Sequence, residues 1–182
     1  MALEHALLVA LRERPAAGLE LARRFDRSIG FFWSATHQQI YKVLRRMETD
    51  GWVTAETIEQ SGRPEKREYT VTDAGARALA DWIATTTPRA GFRSEIAVKM
   101  RAASYGDRAA LLANIGELIA DHRTRQAHYE ALSERDYPTA SPDNAANHLT
   151  GHDLDTYLVL RGGILQETFW IAWLTEYLEA HS

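Results

Sequence analysis

Thr36, Gln38, Gln39, Tyr41, Lys42 and Arg45 crowd amide, hydroxyl, ammonium and guanidinium groups into one short stretch, with no carboxylate among them. Glutamine pairs with the edge of adenine, and arginine or lysine with guanine. Tyrosine, threonine and lysine reach phosphate oxygens. This set suits recognition of a DNA duplex, not the making or breaking of bonds.

Such side chains read a groove only from a rigid element. Ile40, Val43, Leu44 and Met47 recur at three- and four-residue spacing, which predicts a helix from Thr36 to Thr49 with one apolar face. Gln38, Tyr41, Lys42 and Arg45 then lie on the other face. Thr36 and Gln39 have the spacing of a capping box, and Asp50-Gly51 ends the helix where glycine accepts left-handed geometry. The front end also offers unpaired N–H groups and a positive dipole to a phosphate.

Two further helices must hold this one. Leu3, Leu7, Leu8 and Leu11 mark the first, which stops before Pro15. Gly18 to about Ser28 is the second, with Leu19, Leu21, Ala22 and Phe25 as its inner face. After the third helix, Trp52 to Gln60 reads as a strand and Ser61-Gly62-Arg63-Pro64 as a turn. Lys66 to Thr72 returns, with Arg67, Tyr69 and Val71 on one face. Arg63, Lys66 and Arg67 surround the tip, where cations suit a minor groove or its phosphates. Thr72 is the expected cap of a further helix. Three helices and then a two-stranded hairpin are the order of a winged helix-turn-helix.

Thr85-Thr86-Thr87-Pro88-Arg89-Ala90-Gly91 has little to bury and divides the chain into modules 1–86 and 92–182. Residues 1–86 carry 12 Lys+Arg and 12 Asp+Glu, so the whole net charge of −4 lies beyond them. The second module is expected to be helical. Phe92 to Ser104 forms a short helix, and two long ones run from Asp107 to about Arg135 and from Asp153 to Glu179. An irregular stretch, Tyr137 to Gly151, separates the long pair. The last helix has two apolar stripes. Leu154, Leu158, Leu165, Phe169 and Trp173 form one; Ile164, Ile171, Leu174 and Leu178 form the other. A helix that apolar needs several neighbours, and a partner subunit is the economical source.

The carrying residues Ile40-Tyr41, Leu44-Arg45-Arg46-Met47-Glu48, Asp50-Gly51-Trp52-Val53, Gly62-Arg63-Pro64, Tyr69 and Thr72-Asp73-Ala74-Gly75 resemble the PadR family of transcriptional regulators over nearly all of residues 1–80. Phe92-Arg93-Ser94-Glu95 through Lys99-Met100 is similar to that family's lead-in to an appended helical domain. Leu19 stands where the family often has tyrosine, and Glu65 and Glu68 dilute a wing that is usually more basic. The resemblance implies a homodimeric repressor that binds operator DNA and is released by a ligand, in some members a small phenolic compound.

The expected protein is therefore mostly α: a winged helix-turn-helix DNA-binding domain at 1–86 and an α-helical dimerisation domain at 92–182. Its DNA contacts are Thr36, Gln38, Gln39, Tyr41, Lys42, Arg45, Arg63, Lys66 and Arg67. Dimerisation should set the recognition helices about 34 Å apart, for successive major grooves of double-stranded DNA. Gly162-Gly163 either admits a neighbouring helix or leaves space for a small aromatic effector beside Arg161, Trp170 and Trp173. No cysteine, nucleophile motif, phosphate loop or paired carboxylates point to an enzyme or cofactor. His148 and His152 have no evident third metal ligand. The absence of cysteine fits a reducing cytoplasm, and no uncharged apolar run approaches the ~20 residues of a membrane span. Two other readings fit the same features: a winged module for protein partners, and a small-molecule sensor without strong DNA binding.

Overall fold

The computed structural model describes residues 2–28, 35–60, 63–88, 91–141 and 148–181. The chain forms two compact units, Met1–Arg89 and Ala90–Ser182.

The first unit contains α1 (Ala2–Glu13), β1 (Ala16–Ala17), α2 (Gly18–Ser28), α3 (His37–Thr49), β2 (Val53–Gln60), β3 (Arg63–Val71) and α4 (Asp73–Ile83). Leu7, Leu8 and Leu11 of α1, Leu21 and Phe25 of α2, and Ile40, Leu44 and Met47 of α3 converge in one buried core with Val53 and Tyr69. Each such side chain contributes about 1.5–3 kcal/mol when fully withdrawn from water. Leu19 departs from its expected inner position and is 48% exposed, because Leu21, Ala22 and Phe25 already fill the face that α2 turns inward. Arg24 donates from Nη2 to the carbonyls of Ala10 and Arg14, at 2.5 and 2.6 Å, and so satisfies the open end of α1.

The sheet has three antiparallel strands in the order β1-β3-β2, one more than the expected hairpin. Ala16 and Ala17 pair with Tyr69 and Glu68; two alanines after a proline are too short to show strand periodicity. Across the hairpin, Val53 pairs with Val71, Thr57 with Arg67 and Ile58 with Lys66. The return strand begins at Arg63, earlier than expected. The register slips between Ile58 and Gln60, opposite Pro64, whose missing N–H cannot join a regular ladder. The expected tip, Ser61-Gly62, lies outside the described residues.

Thr72 joins α4 to the end of α3. Its hydroxyl accepts from the Gly75 amide and donates to the Gly51 carbonyl at 2.7 Å, while its own amide donates to the Trp52 carbonyl. Gly51 has φ +72°, the left-handed geometry expected after α3. His5 of α1 stacks on Trp82 of α4, centroids 4.5 Å apart.

The second unit contains α5 (Glu95–Arg101), a 3-10 turn (Ala103–Tyr105), α6 (Arg108–Asp136) and α7 (Gly151–Glu179). Ser94 caps α5 and Asp107 caps α6. The two 29-residue helices pack antiparallel, burying Ile115 and Ile119 of α6 against Leu174 of α7, with Met100 of α5. Of the two apolar stripes on α7, the one bearing Ile164 and Leu174 is buried. The other is open at Leu158, Leu165 and Phe169, each more than half exposed, while Leu154 and Trp173 are half-buried.

Candidate nucleic-acid interface

α3 is fixed from behind and free in front. Ile40, Leu44 and Met47 are wholly buried, so the helix cannot roll without opening the core. Thr36 and Gln39 form the expected capping box: the Gln39 amide donates to Thr36 Oγ1 at 3.2 Å, and the Thr36 amide donates to Gln39 Oε1 at 2.8 Å. The cap therefore occupies both side-chain oxygens, leaving the Gln39 amide nitrogen to donate outward. That is a narrower part than a general DNA contact.

Gln38, Lys42 and Arg45 stand exposed on the face opposite the core, at one-turn spacing. Among the described residues, neither Lys42 nor Arg45 has an ion-pair partner. Arg46 differs: its Nη2 lies 3.0 Å from Oε1 of Glu4, a carboxylate only 9% exposed. It ties α3 to α1.

Tyr41 shares the outward face but is only partly free, at 37% exposed. Its ring lies against Gly18 at the start of α2, so closely that a Cβ there would meet Cε1 at 2.4 Å. Sequence reading placed Tyr41 toward DNA and missed this contact. A glycine opening a helix, where it has no capping advantage over Ser or Asp, was the available signal.

The wing cations are placed differently. Lys66 Nζ lies 3.1 Å from Glu20 Oε2 of α2 and 3.3 Å from Glu68 Oε2. Arg67 Nη2 lies 2.5 Å from Glu48 Oε1 of α3. The hydrogen bond from Lys66 holds the Glu20 carboxyl below the usual carboxylate range, and Glu20, then Glu68, push the Lys66 ammonium up. Arg63 opens β3, and its side chain lies outside the described residues.

In the second unit, Trp170 and Trp173 come together with Phe92, Phe169 and His122 in one aromatic group. Arg161 does not join them. It lies nine residues away on α7, which is about 13 Å along the helix. A Cβ on Gly162 would meet open space, so among the described residues no helix packs closely against that glycine. Beneath the aromatic group, Glu167 is buried, with its Oε2 2.5 Å from His122 Nδ1 and its Oε1 3.3 Å from Arg125 Nε. Among the described residues no group of three or more His, Asp or Glu could hold a metal, and no helix is long and apolar enough to cross a membrane.

Residues 7–81 match the model of the transcriptional regulator PadR-like family, and residues 92–182 match that of the virulence activator alpha C-terminal family. The chain is 47% identical to the probable transcriptional regulator Rv1176c of Mycobacterium tuberculosis, covering 99% of this chain and 97% of that one. It is 28% identical to the negative transcriptional regulator PadR of Bacillus subtilis, over 97% of this chain and 95% of that one. The structure of that PadR with operator DNA superposes with a TM-score of 0.83 at 26% identity, covering 98% of this chain and 97% of that one. Its complex with p-coumaric acid gives 0.78 at 25% identity, covering 99% and 98%. The Vibrio cholerae virulence activator AphA gives 0.76 at 30% identity, covering 97% and 96%.

Proposed function

This chain belongs to the PadR-like family of transcriptional regulators, and from that premise we propose that it is a cytoplasmic repressor binding operator DNA as a homodimer. The observation that carries this reading is the outward face of α3. Gln38, Lys42 and Arg45 stand exposed on a helix whose other face is wholly buried, which is the combination a groove-reading helix needs. The whole-length likeness to a PadR solved on operator DNA supports the same use of α3.

The open stripe of α7 supports the homodimer. Leu158, Leu165 and Phe169 leave a row of large apolar side chains in water, and apolar surface of this kind marks an interface. The partner module is then residues 92–182, and the DNA-binding module residues 1–86.

A small aromatic effector completes the proposal. Bacillus subtilis PadR is solved with p-coumaric acid, and the half-buried Trp170 and Trp173 with exposed Phe92 form the aromatic group of this chain against which a planar ligand would pack. Arg161 stands too far along α7 to share that contact.

DNase footprinting of the DNA upstream of the chain's own gene tests the reading. It expects two protected patches one helical turn apart that fade when an effector such as p-coumaric acid is added. Uniform protection of that DNA and of a scrambled control would contradict sequence-specific recognition. Protection that no phenolic compound altered would contradict the effector. The pairing of Lys66 and Arg67 with carboxylates favours a second reading, a winged fold serving protein partners; it expects no protected patch at all.

A further inference from the structure

Lys66 and Arg67 are neighbours on β3, so the pleat sends them to opposite faces of the sheet. Each finds a carboxylate on a different helix of the helix-turn-helix. Arg67, on the face that also carries buried Tyr69, reaches Glu48 in the last turn of α3. Lys66, on the other face, reaches Glu20 in the first turn of α2, and Glu20 lies 3.9 Å from Arg14 as well.

These pairs sit where the wing leaves the core. Tyr69 is the last buried side chain of the hairpin toward its tip among the described residues; Thr57 and Ile58, opposite Arg67 and Lys66, are exposed. Among the described residues, the wing beyond Tyr69 is therefore held by its ladder and by these two ion pairs. Glu48 adds a second indication. A carboxylate in the last turn of a helix opposes the macrodipole, so its position costs α3 stability unless it has a partner.

The geometry points to Glu48 and Glu20 as positioning residues: through Arg67 and Lys66 they clamp the wing to the helix-turn-helix, one face to α3 and the other to α2. The two cations set the wing's angle, and DNA phosphates are left to Lys42 and Arg45. The inference rests on the reading of α3 as a DNA-binding helix, and it reverses the roles that the sequence gives Lys66 and Arg67.

A double-mutant cycle in the full chain distinguishes a clamp from a phosphate contact. Glu48→Ala, Arg67→Ala and the double variant would be titrated against duplexes from the DNA upstream of the chain's own gene, over a salt series. A clamp expects each single change to weaken binding by about threefold or more, and the double to be no weaker than the worse single. The log–log salt slope should stay at the wild-type value, and Arg67→Lys, which keeps the ion pair, should restore most of the affinity. A phosphate contact gives the opposite signs. Glu48→Ala would then tighten binding by freeing Arg67, and Arg67→Ala would flatten the slope by about one unit. Either result overturns the clamp.

Amide hydrogen exchange without DNA keeps the clamp testable apart from DNA binding. In all three alanine variants the amides of β2 and β3 beyond Tyr69 should exchange faster, while those of α1 and α3 stay at wild-type rates. Unchanged wing exchange, or acceleration spread evenly through the core, overturns the clamp. Faster wing exchange in the variants, with a wild type that binds no duplex selectively, would uphold the clamp and sink the DNA-binding reading alone.

Discussion

The ring of Tyr41 lies across the backbone of Gly18, close enough that a methyl group on Gly18 would sit 2.4 Å from Tyr41 Cε1. The outward aromatic of α3 is thus braced by the helix before it. Gly18→Ala should push the ring off its seat and lower DNA affinity, with a stability loss of about 1–3 kcal/mol if the core must also adjust. Urea unfolding and DNA titration of the one variant check both effects. Wild-type affinity would show that the Tyr41 ring position is immaterial to binding.

Gly75 is the tighter constraint. A Cβ there would lie 2.2 Å from the Trp52 carbonyl oxygen, a backbone atom already fixed by Thr72. Gly75→Ala should therefore cost about 1–3 kcal/mol, as overpacking does, and loosen the junction of α4 with the end of α3. A shift in the denaturation midpoint measures it.

The pH dependence of the wing follows from the Lys66–Glu20 pair. Hydrogen bonding to Lys66 lowers the Glu20 carboxyl in the folded chain, so the pair's contribution is complete above the unfolded carboxylate value and is lost as pH falls through the lowered one. Hydrogen bonding to Glu20 and Glu68 raises Lys66, so that contribution is complete below the unfolded lysine value and is lost as pH rises through the raised one. Wing exchange, corrected for intrinsic rates, should stay flat through neutral pH and quicken at both extremes. Quickening near pH 7 would contradict these two pairs as the wing's support.

Most of the first unit is legible in its residues. Ile40, Leu44 and Met47 announce the buried face of α3, and Thr36 with Gln39 announces its cap; the structure has both. What the sequence hides are contacts between elements far apart in the chain. Glu20 and Glu48 look like ordinary surface carboxylates until folding brings them to Lys66 and Arg67. Gly18 looks like punctuation until Tyr41 lies on it. Ala16-Ala17 becomes a strand only because Tyr69 and Glu68 present an open edge. Likewise Glu167 reads as a polar residue on an apolar helix, and only the antiparallel packing of α6 and α7 gives it His122 and Arg125.

That buried carboxylate yields a stability prediction for the second unit. Glu167→Ala removes the buried carboxylate that His122 and Arg125 share, leaving Arg125 Nη2, 2.8 Å from His122 Nδ1, as the partner of that ring nitrogen; losing a hydrogen bond to a charged group costs about 1.5–3 kcal/mol. Chemical denaturation followed by the fluorescence of Trp170, which stacks on His122, should register the loss.

The open stripe of α7 sets the expectation for assembly. Leu165→Asp with Phe169→Asp places charge on a face now more than half exposed, so it should leave the folded chain intact while breaking a dimer formed there. Light scattering should show the mass of one chain, 20.5 kDa. A dimer that survived both changes would place the interface elsewhere.

The most direct measurement is fluorescence anisotropy of wild type, Lys42→Ala and Gln38→Ala on the DNA upstream of the chain's own gene, over a salt series, beside scrambled DNA. Both side chains are exposed on α3, so neither change should disturb the core. The expected result is that Lys42→Ala weakens both DNAs alike and lowers the salt slope by about one unit. Gln38→Ala should instead cost about 1–3 kcal/mol on the upstream DNA alone and so narrow the preference over scrambled sequence. If both variants matched wild type in affinity, slope and preference, the outward face of α3 would not be what reads DNA.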